Sequence, residues 1–177
     1  QAAYNRASAG DELVLTNGTY TGSENNVLEI AKDITIRAHS PRMAVLDGED
    51  ARRVVQITGG TVVLEGLAIT KGLAIGGGGV YISGGDVTLN NCDIHHNQAS
   101  DDNGGGVLAW RGGGVSIDGS GTVVNLKSCD IHHNQATGGG GGIYLSGGAT
   151  TIMSGQVHSN TCNHCDGGGL FGAGGTG

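Results

Sequence analysis

Aromatic residues are scarce: one Trp, one Phe and four Tyr make up 3% of the 177 residues. That poverty removes most of the flat platforms on which a cleft stacks sugar rings. No stretch is apolar for long enough to cross a bilayer, so no membrane span is expected within these residues. Nine basic residues stand against sixteen acidic ones, for a formal net charge of −7, and the basic ones are scattered. A surface of that kind does not suit a phosphate backbone, so nucleic acid is not an expected partner. Four Cys are too few for a disulfide framework in a chain of this size and leave the redox compartment open. Without an initiator Met or a signal-like start, the segment reads as a mature protein or a fragment, any targeting peptide being out of view.

What the chain does have is glycine, 37 residues of it, set in blocks between short β-branched runs. Runs such as Leu13-Val14-Leu15, Val27-Leu28-Glu29-Ile30, Ile34-Thr35-Ile36, Val45-Leu46 and Val54 to Ile57, each bounded by Asn, Asp or Gly, read as strands. Asn17-Gly18 reads as a turn. Only residues 1–9, with Ala3, Tyr4 and Ala7 at helical spacing and Gly10 as a stop, suggest a short helical cap.

One word, Cys-Asp-Ile-His-His-Asn-Gln-Ala, occurs unchanged at 92–99 and 129–136. Looser copies stand at 156–161 and 67–72. Ile57, Val62, Leu64, Leu67, Ile69 and Gly72 reappear 25 positions on as Ile82, Val87, Leu89, Cys92, Ile94 and Asn97. A further 37 positions give Val124, Leu126, Cys129, Ile131 and Asn134, and the last copy has Thr150, Ile152, Gly155, Val157 and Asn160. Each copy holds three short alternating strands, for example Val80-Tyr81-Ile82, Val87-Thr88-Leu89 and Cys92-Asp93-Ile94. Three strands in about 25 residues describe one coil of a parallel β-helix. The hexapeptide period of left-handed helices is absent, so the expected fold is all-β, a right-handed three-sheet parallel β-helix forming one domain over 1–177. Tight corners fall to Gly84-Gly85, Gly147-Gly148, Gly77 to Gly79 and Gly140 to Gly142. Asn97, Asn134 and Asn160 are expected to close the remaining corner as a structural ladder, since Asn tolerates the left-handed conformation and its amide can bond the next rung.

The words Ala9-Gly10-Asp11-Glu12-Leu13-Val14-Leu15, Asn17-Gly18-Thr19-Tyr20 and Val45-Leu46-Asp47-Gly48 resemble the N-terminal coils of pectate-lyase-like β-helix proteins. The Gly-Gly-Gly-aliphatic words at 77–80 and 140–143, with Ile94-His-His-Asn97 and Val157-His-Ser-Asn160, resemble the repeats of polymorphic outer-membrane, autotransporter-type proteins. The resemblance implies a fold and leaves activity open, because lyases, hydrolases, adhesins and scaffolds share it. Gly167-Gly168-Gly169-Leu170-Phe171 aligns with the start of another coil, so further coils or a partner are expected at that end.

With Ile94 inward, Asp93 and His95 point outward, as do Asp130 and His132 one coil on, then Gln156 and His158. This grid of carboxylates and imidazoles is a candidate site for a divalent metal ion or a pH-responsive face. The preferred plain alternative is a solvated surface in which each Asp offsets a His. His96 and His133 are expected at the turn, bonding neighbouring backbone. Cys92 and Cys129 share an inward ladder as small apolar residues. Cys162 and Cys165 form a lone C-x-x-C for which a local disulfide, free thiols and half of a zinc site with His158 or His164 stay open, the disulfide first. The longest copy carries its excess at 100–114, an inserted loop with Asp101, Asp102, Trp110 and Arg111 as candidate contacts for a protein or polysaccharide.

No catalytic residue is assigned. The Gly-His-Gly and Arg-Ile-Lys words of polygalacturonases are absent, and Asp101-Asp102 lies off the repeat strands. The expected role is therefore a non-catalytic structural, adhesive or protein-interaction β-helix, extracellular or at a cell surface. A polysaccharide lyase or glycoside hydrolase is the first alternative, a subunit of a larger assembly the second.

Overall fold

A computed structural model describes residues 1–100, 112–163 and 167–172. The chain winds into an all-β parallel solenoid of about six turns, with about 26 residues per turn and one short helix, Ala2–Arg6. Each turn places one strand in each of three six-stranded sheets. The first sheet stacks Glu12–Leu15, Ile34–Ala38, Thr61–Glu65, Asp86–Asn90, Val123–Lys127 and Ala149–Met153. The second stacks Gly18–Tyr20, Ala44–Asp47, Leu67–Thr70, Asp93–His95, Asp130–His132 and Gln156–His158. Asn26–Ile30, Arg53–Ile57, Val80–Ile82, Val115–Ile117, Ile143–Leu145 and Leu170–Gly172 form the third.

The phase of the repeated word sets the register. Ile69 pairs with Ile94, Ile94 with Ile131 and Ile131 with Val157, and Val62, Val87 and Val124 run in step on the first sheet. A one-residue slip would turn each of these aliphatic side chains outward and the neighbouring polar ones inward, so burial fixes the register. Leu64, Ile69, Ile82, Leu89, Ile94, Ile117 and Leu126 are fully buried in one continuous core. Ile94→Ala, which leaves a void between Ile69 and Ile131, should cost about 2–5 kcal/mol in a denaturant melt.

Three local features differ from the sequence-based expectation. Two-residue strands, Leu73–Ala74, Gln98–Ala99, Gln135–Ala136 and Thr161–Cys162, form a fourth short sheet. Strands of two residues carry no alternation to read, although Ala99 and Ala136 are wholly buried. The Asn17-Gly18 turn is shorter than expected, because Gly18 already pairs with Ala44 as the first residue of a strand. At the third corner the left-handed residues are those preceding Gly72 and the three asparagines: Lys71, His96, His133 and Ser159, with φ of 51 to 54°. The asparagine amide does its work through hydrogen bonds, which leaves the sharp bend to the residue before it.

At the N-terminal end, Tyr4 from the helix enters the core, its hydroxyl accepting the Ala31 N–H at 2.8 Å. Lys32 donates to the Tyr4 carbonyl at 3.0 Å and lies over the Tyr4 ring. The helix thus packs on the first turn. The expected inserted loop falls largely on residues 101–111, so Asp101, Asp102, Trp110 and Arg111 lie outside the described residues.

Candidate functional site

The second sheet turns Asp93 and His95, with Asp130 and His132, to its outer face and buries Cys92, Ile94, Cys129 and Ile131, and the corner that follows it is built by the asparagine ladder. The Oδ1 of Asn97 accepts the Gly72 N–H at 2.8 Å, while its Nδ2 donates to the Ile69 carbonyl and to Asn134 Oδ1, each at 3.0 Å. Asn134 repeats the pattern: its Nδ2 donates to the Ile94 carbonyl at 2.9 Å and to Asn160 Oδ1 at 3.0 Å. Asn160 donates in turn to the Ile131 carbonyl at 2.8 Å. Asn97 and Asn134 are buried, and every amide spans two rungs. This ladder holds residues 96, 133 and 159 in the left-handed conformation and turns their side chains back alongside residues 95, 132 and 158.

Two stacked columns of imidazoles result. His95, His132 and His158 stack with ring centroids 5.2 Å apart and planes within 10° of parallel. His96 and His133 stack beside them at 5.3 Å. Within each rung the two rings meet edge-on, His95 Nδ1 lying 2.8 Å from His96 Nδ1 and His132 Nδ1 2.7 Å from His133 Nδ1. In the third rung the partner of His158 Nδ1 is the Ser159 hydroxyl at 3.1 Å. Sequence reasoning placed His96 and His133 at the corner and expected them to bond backbone; their Nδ1 atoms bond imidazole instead. Adjacent residues on a strand point apart, so only the left-handed bend at 96 and 133 can bring the pairs together.

The carboxylates bond across rungs. Asp93 Oδ1 lies 3.0 Å from His132 Nε2, and Asp130 Oδ1 lies 3.1 Å from His158 Nε2. An ionised carboxylate only accepts, so the Nε2 of both His132 and His158 carries the proton. In neutral His132 the Nδ1 is then a lone-pair acceptor, and His133 Nδ1 must donate to it. Ala68 stands where a carboxylate would face His95, and Thr70 Oγ1 reaches His95 Nδ1 at 3.2 Å instead. Burial holds the His95 imidazole below its usual proton affinity; Asp93 opposes this, and His132, His96 and His133 add to it. Arg42 Nη1 sits 4.0 Å from Asp93 Oδ2, on the side away from the imidazole contact.

Asp93, Asp130 and His132 each offer a ligand atom, all within 4.8 Å of one another. His95 and His158 continue the column on either side. The five residues proposed from sequence as a metal grid are thus neighbours: Asp93 bonds His132 and Asp130 bonds His158 across rungs, while His95 joins the column by stacking on His132. Behind them Cys92 and Cys129 are buried free thiols, donating to the carbonyls of Leu64 and Leu89 at 3.4 and 3.3 Å. The bond to the Cys129 thiol, and then burial, push the Cys92 thiol well above its ordinary pKa. Cys162 is disulfide-bonded; His164 and Cys165 lie outside the described residues. No helix among the described residues is long and apolar enough to cross a membrane.

Compared with known proteins, residues 13–176 match the family model of the right-handed β-helix region. No curated protein and no solved structure matches the chain.

Proposed function

The chain belongs to the right-handed β-helix family, and we propose that it serves as a non-catalytic scaffold of that fold, structural, adhesive or protein-binding. We place it in a secreted, surface or assembly-associated protein. One observation carries this reading: the ionisable groups of the second sheet are repeated, not convergent. Asp93 pairs with Asp130, and His95 with His132 and then His158, each by translation along the solenoid. Acid–base catalysis needs groups with different roles around one reacting atom, their proton affinities driven apart by different surroundings. A ladder instead repeats like groups rung by rung and gathers no set of different groups around one point. Such a face suits binding of an extended or multivalent partner, protein or polysaccharide, because equal contacts recur at the spacing of the strands.

Incubation with polygalacturonate or alginate in the presence of calcium tests this. The scaffold reading predicts no new reducing or unsaturated ends while the protein remains folded. Chain cleavage that is lost in Asp101→Asn or Asp102→Asn would replace it with the lyase or hydrolase reading.

A further inference from the structure

We infer that the paired Nδ1 atoms of His132 with His133, and of His95 with His96, are binding sites for a divalent transition metal of tetragonal preference, copper(II) or nickel(II). The inference names a ligand for the face on which the scaffold reading rests. The ligand atoms are not those of the carboxylate–imidazole grid. His132 Nε2 is taken by Asp93, which orients the ring, sets its tautomer and leaves Nδ1 unprotonated, its lone pair accepting the hydrogen bond from His133. A carboxylate on one imidazole nitrogen with the metal on the other is the arrangement that orients and strengthens histidine ligands generally.

The spacing distinguishes among metals. Two nitrogens bound cis at about 90° with bonds of about 2.0 Å lie about 2.8 Å apart, whereas tetrahedral zinc at about 2.0–2.1 Å separates them by about 3.3 Å. The observed separations are 2.8 and 2.7 Å. The left-handed corner already holds the two nitrogens at the tetragonal distance; binding exchanges the hydrogen-bonded proton for a metal beside the N–N line, and each ring turns so that its lone pair leaves that line. The proton on His133 Nδ1 moves to its Nε2 on the exposed edge of the ring, and water fills the remaining positions. Imidazole nitrogens also disfavour magnesium and calcium, which select oxygen.

The two rungs are unequal. His132 has its carboxylate, Asp93; His95 has Ala68 in that place and only the Thr70 hydroxyl beside Nδ1. Two dications in rungs whose rings stack 5.2 to 5.3 Å apart also repel each other. The His132–His133 site should therefore fill first, and the second site should bind at least about tenfold more weakly. The third rung lacks only an imidazole at 159, and Ser159, with φ of 53°, already has the backbone of His96 and His133.

Titration of the untagged protein with copper(II) and with nickel(II), read by calorimetry and by copper EPR, tests this. Expected are two ions per chain in two steps, nitrogen hyperfine structure from two imidazoles per copper, and a half-field signal when both sites are full. His133→Asn, exposed and with a residue that tolerates the left-handed bend, should abolish the tighter step, and the double variant with His96→Asn should abolish both. Asp93→Asn should weaken the tighter step about 10- to 100-fold and the weaker one by less, because Asp93 bonds His132 but acts on His95 only through its charge. Ser159→His should add a third ion. Absence of binding, binding that survives the His96→Asn, His133→Asn double variant, or calcium binding in preference to copper would overturn the inference. Any of these would leave the scaffold reading in place, because polysaccharide cleavage, its own test, is read without added copper or nickel.

Discussion

Gly141→Ala should destabilise the protein by at least about 3–5 kcal/mol, whereas Gly121→Ala, in the same glycine-rich chain, should shift stability by no more than about 0.5 kcal/mol. A Cβ on Gly141 would lie 2.1 Å from the Thr161 carbonyl oxygen and 2.6 Å from that of Gly168. Both are backbone atoms of the adjacent rung, and neither can rotate away as a side chain could. The solenoid would have to open between successive coils, which breaks the ladder bonds that run through Gly142 and Ile143 to Gly169. A cost of at least about 3–5 kcal/mol follows, large against the 5–15 kcal/mol of a typical domain. Gly121 has nothing within 4 Å of the same added carbon. Circular dichroism melts of the two variants check the contrast. Equal melts would mean that the coils are not stacked this closely.

Asn134→Ala should destabilise by about 3–5 kcal/mol, as much as a large cavity in the core. Its Oδ1 accepts from both the backbone N–H and the side-chain amide of Asn97, each at 3.0 Å, and its Nδ2 serves the Ile94 carbonyl. Truncation strands these partners where water does not reach, and each buried orphan costs about 1–3 kcal/mol. Asn134→Asp keeps the shape and the acceptor but loses the donor and sets a carboxylate against Asn160 Oδ1. It should fall well short of wild type, which shows that the donor matters and volume does not. A denaturant series on wild type and both variants reads this directly. Because the ladder sets the bend at His133, the same variants should also disturb the imidazole pairs.

The core was legible in the sequence because it is periodic. Ile57, Leu64 and Ile69 recur at one offset, and aliphatic residues at alternate positions leave a strand one way to face. The doubled word was legible for the same reason, as were the outward positions of Asp93 and His95. The pairing of His95 with His96 was not. It depends on a left-handed residue that is neither Gly nor Asn, at a bend fixed by amide bonds across rungs, and a pattern of polarity contains neither. The short fourth sheet escaped because Gln-Ala is too brief to alternate. The cross-rung bond from His132 to Asp93 lay between the two: translation placed the groups on neighbouring rungs, but which nitrogen the carboxylate takes is settled only by the ring orientation that His133 imposes.

On the second sheet His95 bonds His96 and His132 bonds His133 within their rungs, and His132 and His158 bond carboxylates across rungs. Through-hydrogen-bond ¹⁵N–¹⁵N coupling, measured on metal-free protein with labelled histidine, observes the pairing within rungs directly. The account predicts coupling between Nδ1 of His132 and Nδ1 of His133, and between Nδ1 of His95 and Nδ1 of His96, with the proton of His132 and of His158 on Nε2. Nδ1 atoms that show no coupling, on rings that tumble between tautomers as free imidazole does, would contradict it.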